Sequence, residues 1–374
     1  MLNDNMKKVN KRRRLKDIDF VLLFVVLILC GFGLILIKSA TLSLGTTRLV
    51  LTQAIAIGIG LIVIIALIFI DYKLLGRLYI PIYVVSNLLL VAVLIFGFGE
   101  DTWGSRSWLS VGGITFQPAE FVKLGLIISL AKFIDNNKET INEPFTLFKV
   151  LAFAFFPVAL IMGQPDAGTA MVFIFFIAVM LFIAGLDWKY IGYAFGLGIA
   201  SLPVIWLKLD TYQKNRILDF FNPEDNVAGS SYQAVHGQIA IGSGKIFGRG
   251  LYKGVQVQNN YVPETPTDFI FSLLVEELGF VGGMFLIILY LILMLRLIKI
   301  ARNSNDLFGS LMVVGVAAMQ LFHIWENIGM TIGLMPITGI PLPFISHGGT
   351  FLLINMIGIG IALSVNYHKD GLNF

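Results

Sequence analysis

Ile18-Asp19-Phe20-Val21-Leu22-Leu23-Phe24-Val25-Val26-Leu27-Ile28-Leu29-Cys30-Gly31-Phe32-Gly33-Leu34-Ile35-Leu36-Ile37-Lys38 carries no charge between Asp19 and Lys38. About 20 apolar residues in helical geometry span the ~30 Å hydrocarbon layer of a bilayer. The run is too long for a signal peptide and no small-residue cleavage site follows it, so it reads as a retained membrane helix. The rest of the chain repeats the pattern. Of its 374 residues 57% are hydrophobic and 13% are charged, with a mean hydropathy of +0.83. A soluble domain carries about 25% charged residues, so the composition excludes one.

Ten such windows fit the sequence: about 18–38, 49–70, 78–97, 116–134, 147–163, 167–185, 189–207, 269–297, 308–332 and 345–366. The expected fold class is therefore all-α, a polytopic integral membrane protein. Residues 1–17 read as a basic cytoplasmic tail, 18–366 as one membrane domain and 367–374 as a cytoplasmic C-terminal tail. Lys7, Lys8, Lys11, Arg12, Arg13, Arg14 and Lys16 set the orientation, and the predicted inner loops add Lys73, Arg77, Lys132, Lys138, Lys149, Lys189, Arg296, Lys299 and Arg302. The basic tail implies contact with anionic membrane lipids, not with nucleic acid. Cys30 is the single cysteine, which leaves no disulfide.

The seventh and eighth windows are separated by an outward loop, 208–268. Its first part, around Leu209–Arg216, has the spacing of a short helix lying on the membrane surface. Its second part is glycine-rich, which permits tight turns and close backbone approach. It ends Val262-Pro263-Glu264-Thr265-Pro266-Thr267-Asp268-Phe269-Ile270, a stiff segment that delivers a carboxylate to the edge of an apolar run. Asp268 or Thr267 could cap the helix that follows. Asp268 could instead take a proton from a substrate hydroxyl at the membrane boundary.

Other polar groups are expected on the same outer side. Arg106 lies between Trp103 and Trp108, either as a snorkelling member of an aromatic belt or as a bidentate phosphate clamp. Glu120 and Lys123 share one helical face and are costly in a span unless paired or facing a cavity. Asp166, in Gln164-Pro165-Asp166, suits a helix cap and a substrate contact equally. Glu276 and Glu277 lie two turns beyond Asp268. Gly339-Ile340-Pro341-Leu342-Pro343-Phe344-Ile345-Ser346-His347-Gly348-Gly349 breaks the helix before the last window, as chains do where they line a cavity. His236, His323, His347 and His368 have no metal-ligand spacing, and there is no phosphate-binding GxxxxGK[ST] loop, HExxH or paired CxxC.

Several of these segments together resemble the SEDS family (shape, elongation, division and sporulation), whose members include RodA, FtsW and SpoVE. They are Gly104-Ser105-Arg106-Ser107-Trp108, Gln117-Pro118-Ala119-Glu120-Phe121-Val122-Lys123, Gln164-Pro165-Asp166-Ala167-Gly168-Thr169, Ser231-Tyr232-Gln233 with Ile241-Gly242-Ser243-Gly244, Pro263–Phe271 and Pro341–Gly349. Tyr261-Val262-Pro263-Glu264 and Asn327–Pro336 are more similar to the RodA branch, whereas Gly104–Trp108 is more similar to the division and sporulation branch. Two departures stand out. Thr265-Pro266 replaces a frequent Ala-His, and His347 stands where many members have an aromatic residue.

The resemblance implies a peptidoglycan glycosyltransferase of cell-wall elongation that polymerises lipid II at the outer face of the cytoplasmic membrane. By the same resemblance Asp268 is the general base on the acceptor sugar 4-hydroxyl, and polyprenyl diphosphate is the leaving group. Arg106, Glu120, Lys123, Asp166, Arg216, Ser231, Gln233 and Ser346 are then candidate substrate-binding residues. A single-pass class B penicillin-binding protein is the implied partner. A divalent cation, Mg or Mn, could assist the leaving group, although no acidic metal cluster is visible. Polytopy, broken helices and buried charges also fit a flippase of the lipid-linked precursor or a non-catalytic scaffold of the cell-wall machinery.

Overall fold

Aspartates start three of the long helices. Asp19, Asp166 and Asp306 each accept a hydrogen bond from the backbone N–H three residues on, at 2.7–3.0 Å, satisfying a donor that the first helical turn cannot. Elsewhere proline at the first position does the work, as at Pro118 and Pro144. The computed structural model describes residues 18–43, 45–99, 106–112, 114–208, 211–222 and 231–369. The predicted basic tail 1–17 lies outside them, as do Gly104, Ser105 and 370–374 of the C-terminal tail.

In chain order the helices are α1 (Phe20–Leu42), α2 (Arg48–Phe69), the short α3 (Lys73–Arg77), α4 (Tyr79–Phe96), α5 (Pro118–Asn136), α6 (Pro144–Met162), α7 (Ala167–Ile183) and α8 (Trp188–Lys208). They continue as α9 (Thr211–Phe221), α10 (Tyr232–Gly244), the one-turn α11 (Val255–Gln258), α12 (Ile270–Arg302), α13 (Leu307–Thr331) and α14 (Gly349–Tyr367). Each of the ten predicted windows holds one of these helices. Among the described residues seven helices, α1, α2, α4, α6, α12, α13 and α14, are long and apolar enough to cross a membrane. Helix α7 is short, at 17 residues, and α5 carries the charged Glu120, Lys123, Lys132 and Asp135. The chain is a multi-pass, all-α membrane protein. A two-stranded hairpin, β1 (Leu109–Val111) with β2 (Ile114–Phe116), was not foreseen.

Helices α13 and α14 form the buried centre. Helix α13 packs on α5, α7, α12 and α14, and α14 packs on α2. Helices α2, α4 and α8 turn large apolar side chains outward, as lipid-facing helices do. On the predicted cytoplasmic side Arg296 of α12 grips Asp19 through two nitrogens at 2.6–3.1 Å, tying α12 to the start of α1.

Two departures from the sequence reading have backbone causes. The first part of the glycine-rich half forms helix α10, whose buried face is Gly237, Ala240 and Gly244, and the remainder turns, with Gly248 and Gly250 at φ 80° and 101°. Small residues allow this helix to lie directly on α12, so the glycines serve close approach as well as turning. Helix α12 is broken at Gly279, with φ 70° and ψ −169°, a conformation that glycine adopts without a Cβ clash. The break leaves backbone groups without intrahelical partners. Phe280 and Val281 N–H donate to the carbonyls of Lys245 and Ile246, and Arg249 and Gly250 N–H donate to those of Glu276 and Glu277. The long loop thus plugs the helix it precedes.

Candidate active site

The Pro-flanked segment before α12 folds as a tight turn. Glu264 adopts a left-handed φ of 53°, and its carbonyl accepts the N–H groups of Thr267, Asp268 and Phe269 at 3.0–3.3 Å. Thr265 Oγ1 donates to Val262 O at 2.5 Å. The residue at the start of α12 is Phe269, and no side chain caps it. Capping therefore does not occupy the Asp268 carboxylate. Burial, and secondarily the nearby Glu264 carboxylate, push its pKa up to about 7, against the opposing pull of the Arg216 guanidinium and the Thr267 hydrogen bond. Asp268 nevertheless stays half-buried as a residue.

A second loop, Ile337–Gly348 between α13 and α14, closes over this acid. Gly339, at φ 73°, passes so near that a Cβ there would stand 3.4 Å from Asp268 Oδ2. Ser346 Oγ donates to Thr267 O at 2.5 Å and accepts from Leu342 N at 2.8 Å. His347 N donates to Pro266 O at 2.8 Å. The two positions at which the chain departs from the family pattern, Pro266 and His347, therefore touch. Burial lowers the His347 pKa, which favours the neutral ring.

Prolines 341 and 343 have no N–H, and within the loop only Leu342 O is seen to accept backbone donors, from Ile345 and Ser346 N–H at 3.3 and 3.0 Å, so other carbonyls need partners from elsewhere. Side chains from four helices supply them. Asn327 Nδ2 of α13 donates to both Asp268 O and Ile340 O at 2.8 Å. Tyr290 OH of α12 donates to Pro343 O at 2.6 Å. Gln53 of α2 donates to Ser346 O at 3.0 Å and accepts from Gly348 N at 3.2 Å. Arg216 of α9 donates to Ile337 O at 3.0 Å. Thr338 Oγ1 donates to Glu326 at 2.9 Å. Sequence reasoning gave no role to Asn327, Gln53, Tyr290 or Glu326. The available signal was polarity, because each is a hydrogen-bonding side chain inside an apolar run.

The remaining predicted residues fall into three settings. Asp166 caps α7, and its Oδ2 accepts from Ser107 Oγ at 3.1 Å, Gln117 Nε2 at 2.9 Å and Thr169 Oγ1 at 2.9 Å. It thereby ties the strand hairpin to the helix whose Gly168 faces Thr338 O. Glu120 and Lys123 are buried and paired at 2.8 Å, and Lys123 Nζ also lies 2.9 Å from His323 Nε2. Arg106 is exposed beside β1. Ser231 is buried at the start of α10, with Gln233 half-buried in its first turn. The structure therefore gathers Asp268, Arg216 and Ser346 around one turn, while Asp166 and Lys123 stand one residue removed from the same loop, behind Gly168 and His323. Among the described residues no three or more His, Cys, Asp or Glu side chains gather as metal donors.

A protein-family profile described as "Cell cycle protein", covering FtsW, RodA and SpoVE, matches residues 20–371. The chain is 36% identical over 294 residues to the peptidoglycan glycosyltransferase MrdB of Escherichia coli K12, covering 78% of each. It is 36% identical over 358 residues to the stage V sporulation protein E of Bacillus subtilis 168, covering 94% of this chain and 97% of that one. Among solved structures it superposes, with a TM-score of 0.81 and 31% identity, on a chain of a peptidoglycan synthase complex described as coordinating polymerization and crosslinking; the match covers 94% of this chain and 99% of that one. It also superposes on the rod shape determining protein RodA of Thermus thermophilus, with a TM-score of 0.71 and 29% identity over 94% of this chain and 98% of that one.

Proposed function

The chain belongs to the FtsW, RodA and SpoVE family and is a peptidoglycan glycosyltransferase of cell-wall synthesis; from that premise we propose that Asp268 is its general base and lipid II its substrate. One observation carries the assignment. Asp268 has its backbone pinned by Asn327, its carboxyl left out of helix capping, and a pKa of about 7. A base works best when its pKa lies near the working pH.

In this reading the carboxylate takes the proton from the 4-hydroxyl of the acceptor sugar. The freed oxygen pair attacks the anomeric carbon of the donor, and the bond to the diphosphate breaks with its electron pair going to the leaving polyprenyl diphosphate. The proton on Asp268 then returns to solvent. Arg216, whose charge already acts on Asp268, supplies the cation that stabilises the departing diphosphate. Arg106 is the second candidate, from the hairpin side. Ser346 acts by holding Thr267, and Asp166, Glu120, Ser231 and Gln233 shape the surroundings of the same loop. The site faces outward, with both termini cytoplasmic, and a class B penicillin-binding protein supplies crosslinking. Elongation is the role favoured by the RodA-like segments.

Purified Asp268→Asn protein, given lipid II and its partner, is expected to make no glycan strands while remaining folded. Polymer of wild-type length and amount would remove Asp268 from the mechanism. The flippase reading makes a different demand: the same variant would lose lipid translocation in sealed vesicles.

A further inference from the structure

The buried ion pair of α5 has a third member that the chemistry above does not use. Lys123 Nζ contacts Glu120 Oε1 at 2.8 Å and His323 Nε2 at 2.9 Å. The three residues are 1%, 6% and 2% exposed, respectively, so no substrate reaches Lys123 in this arrangement. An ammonium has only hydrogens to offer. Nε2 of His323 must therefore present its lone pair, which places the ring hydrogen on Nδ1. That atom lies 3.3 Å from Pro341 O, one of the two carbonyls between those that Asn327 and Tyr290 hold; the other, Leu342 O, accepts from the Ile345 and Ser346 N–H groups. The ion pair thus sets the tautomer, and the tautomer sets a bond to the loop that covers Asp268.

We propose that His323 is a positioning residue for Asp268: Lys123 fixes its neutral Nδ1–H tautomer, which clamps Pro341 and with it the loop that is stitched to Thr267 and Pro266. The clamp reaches the acid because Ser346 holds Thr267 O and His347 N holds Pro266 O. A fixed loop holds the carboxylate against the acceptor hydroxyl, and a displacement of ~1 Å at such a base costs on the order of 100-fold in rate. His323 itself touches no reacting atom. The proposal rests on Asp268 being the base, but the clamp can be read without activity.

The test uses two amides that each copy one half of the imidazole. His323→Asn retains a donor near Nδ1, and His323→Gln retains an acceptor near Nε2. His323→Leu retains neither, and the full-length protein with its partner is used throughout. The expected result is that Asn restores kcat to within about threefold of wild type, whereas Gln and Leu lower it about 10- to 100-fold with KM changed less than twofold. Hydrogen exchange at the His347 amide, which is bonded to Pro266 O, should speed up in Gln and Leu but not in Asn. The reverse order, Gln active and Asn inactive, would mean that His323 only solvates Lys123 and would overturn the clamp. Equal kcat in all three variants, or unchanged exchange at His347 in Leu, would also overturn it. If a variant unfolds, the exchange comparison is made with Lys123→Met, where a freed tautomer should loosen the loop and an unchanged His347 amide would refute the proposal. Repeating the exchange measurement in Asp268→Asn separates the two ideas. Polymerisation by Asp268→Asn would sink the base assignment, while the exchange pattern would still decide the clamp.

Discussion

Asp268→Asn removes an acid that the fold holds against its own preference, and this gives the substitution a signature in stability as well as in activity. The carboxyl rises from 3.8 to about 7 in the folded chain. In the unfolded chain it keeps an ordinary value near ~3.9. Between those two values the folded state holds the proton and the unfolded state does not. The contribution to stability is therefore fully present below pH ~4, falls as the pH rises and is gone above pH ~7. Three pH units correspond to a ceiling of ~4 kcal/mol. Asp268 is only half-buried as a residue, and screening there reduces the effect to about 1–2 kcal/mol.

Asparagine has the same shape and no titration. In detergent or nanodiscs the variant should match wild type in thermal unfolding near pH 4.5 and exceed it by about 1–2 kcal/mol at pH 8. Over the same range the wild-type polymerisation rate should climb about tenfold per pH unit below pH ~7 and level off above it, because only the ionised acid accepts a proton. A variant less stable than wild type at pH 8 would refute the burial account. A wild-type rate that is flat from pH 5.5 to 8 would refute the titration of a base at that position.

The neighbours of Asp268 predict where that rise in rate moves. Arg216→Ala removes the charge that favours the ionised acid, so the rise should shift to higher pH, with kcat at its plateau lowered about 100-fold by loss of diphosphate stabilisation. Glu264→Gln removes a like charge, so the rise should shift to lower pH with little change at the plateau; a pH titration of initial rates checks both. Asn327→Leu strips donors from Asp268 O and Ile340 O together, and each orphaned carbonyl costs about 1–3 kcal/mol, measurable as a lower unfolding midpoint with loss of polymer. Gly339→Ala should lower both stability and kcat, because a left-handed backbone disfavours a Cβ by about 1–2 kcal/mol and the added carbon meets Asp268 Oδ2; wild-type kinetics in this variant would show that the loop does not lie over the acid during turnover.

What the sequence made legible follows how far apart the cooperating residues are. The apolar windows located the helices because a span needs only its own composition. Asp268 stood out because the change from polar loop to apolar run is local. The last window was placed from 345 but α14 begins at Gly349. Leu342, Phe344 and Ile345 are buried, so hydropathy counts them as span, while Pro341 and Pro343 keep them out of a helix. Helix α10 was missed for the opposite reason. Its glycines serve contact with α12, and glycine in a sequence reads equally as turn or as close approach wherever the contacting surface is unknown. The partnership of Gln53 with Ser346, 293 residues apart, has no local trace beyond a polar residue in an apolar helix.

The proline loop gives a physical reason for those buried polar residues. A loop built to cover an acid at a membrane boundary must be stiff, and proline makes it stiff by locking φ in its ring, at the cost of an N–H group. The carbonyls opposite then have no backbone donors, and in an apolar bundle no solvent substitutes for them. Asn327, Tyr290, Gln53 and Arg216 are the donors that this stiffness requires, each brought by a different helix. It follows that the bundle helps to hold the loop, so a change in how α2, α9, α12 and α13 sit relative to one another reaches Asp268 through hydrogen bonds of 2.6–3.0 Å. A protein partner packed against any of these helices would therefore be able to adjust the base without touching it. The corresponding outcome is measurable: partner binding should change exchange at the Ser346 and His347 amides together with kcat, and kcat that changes with those amides unmoved would disconnect the loop from such control.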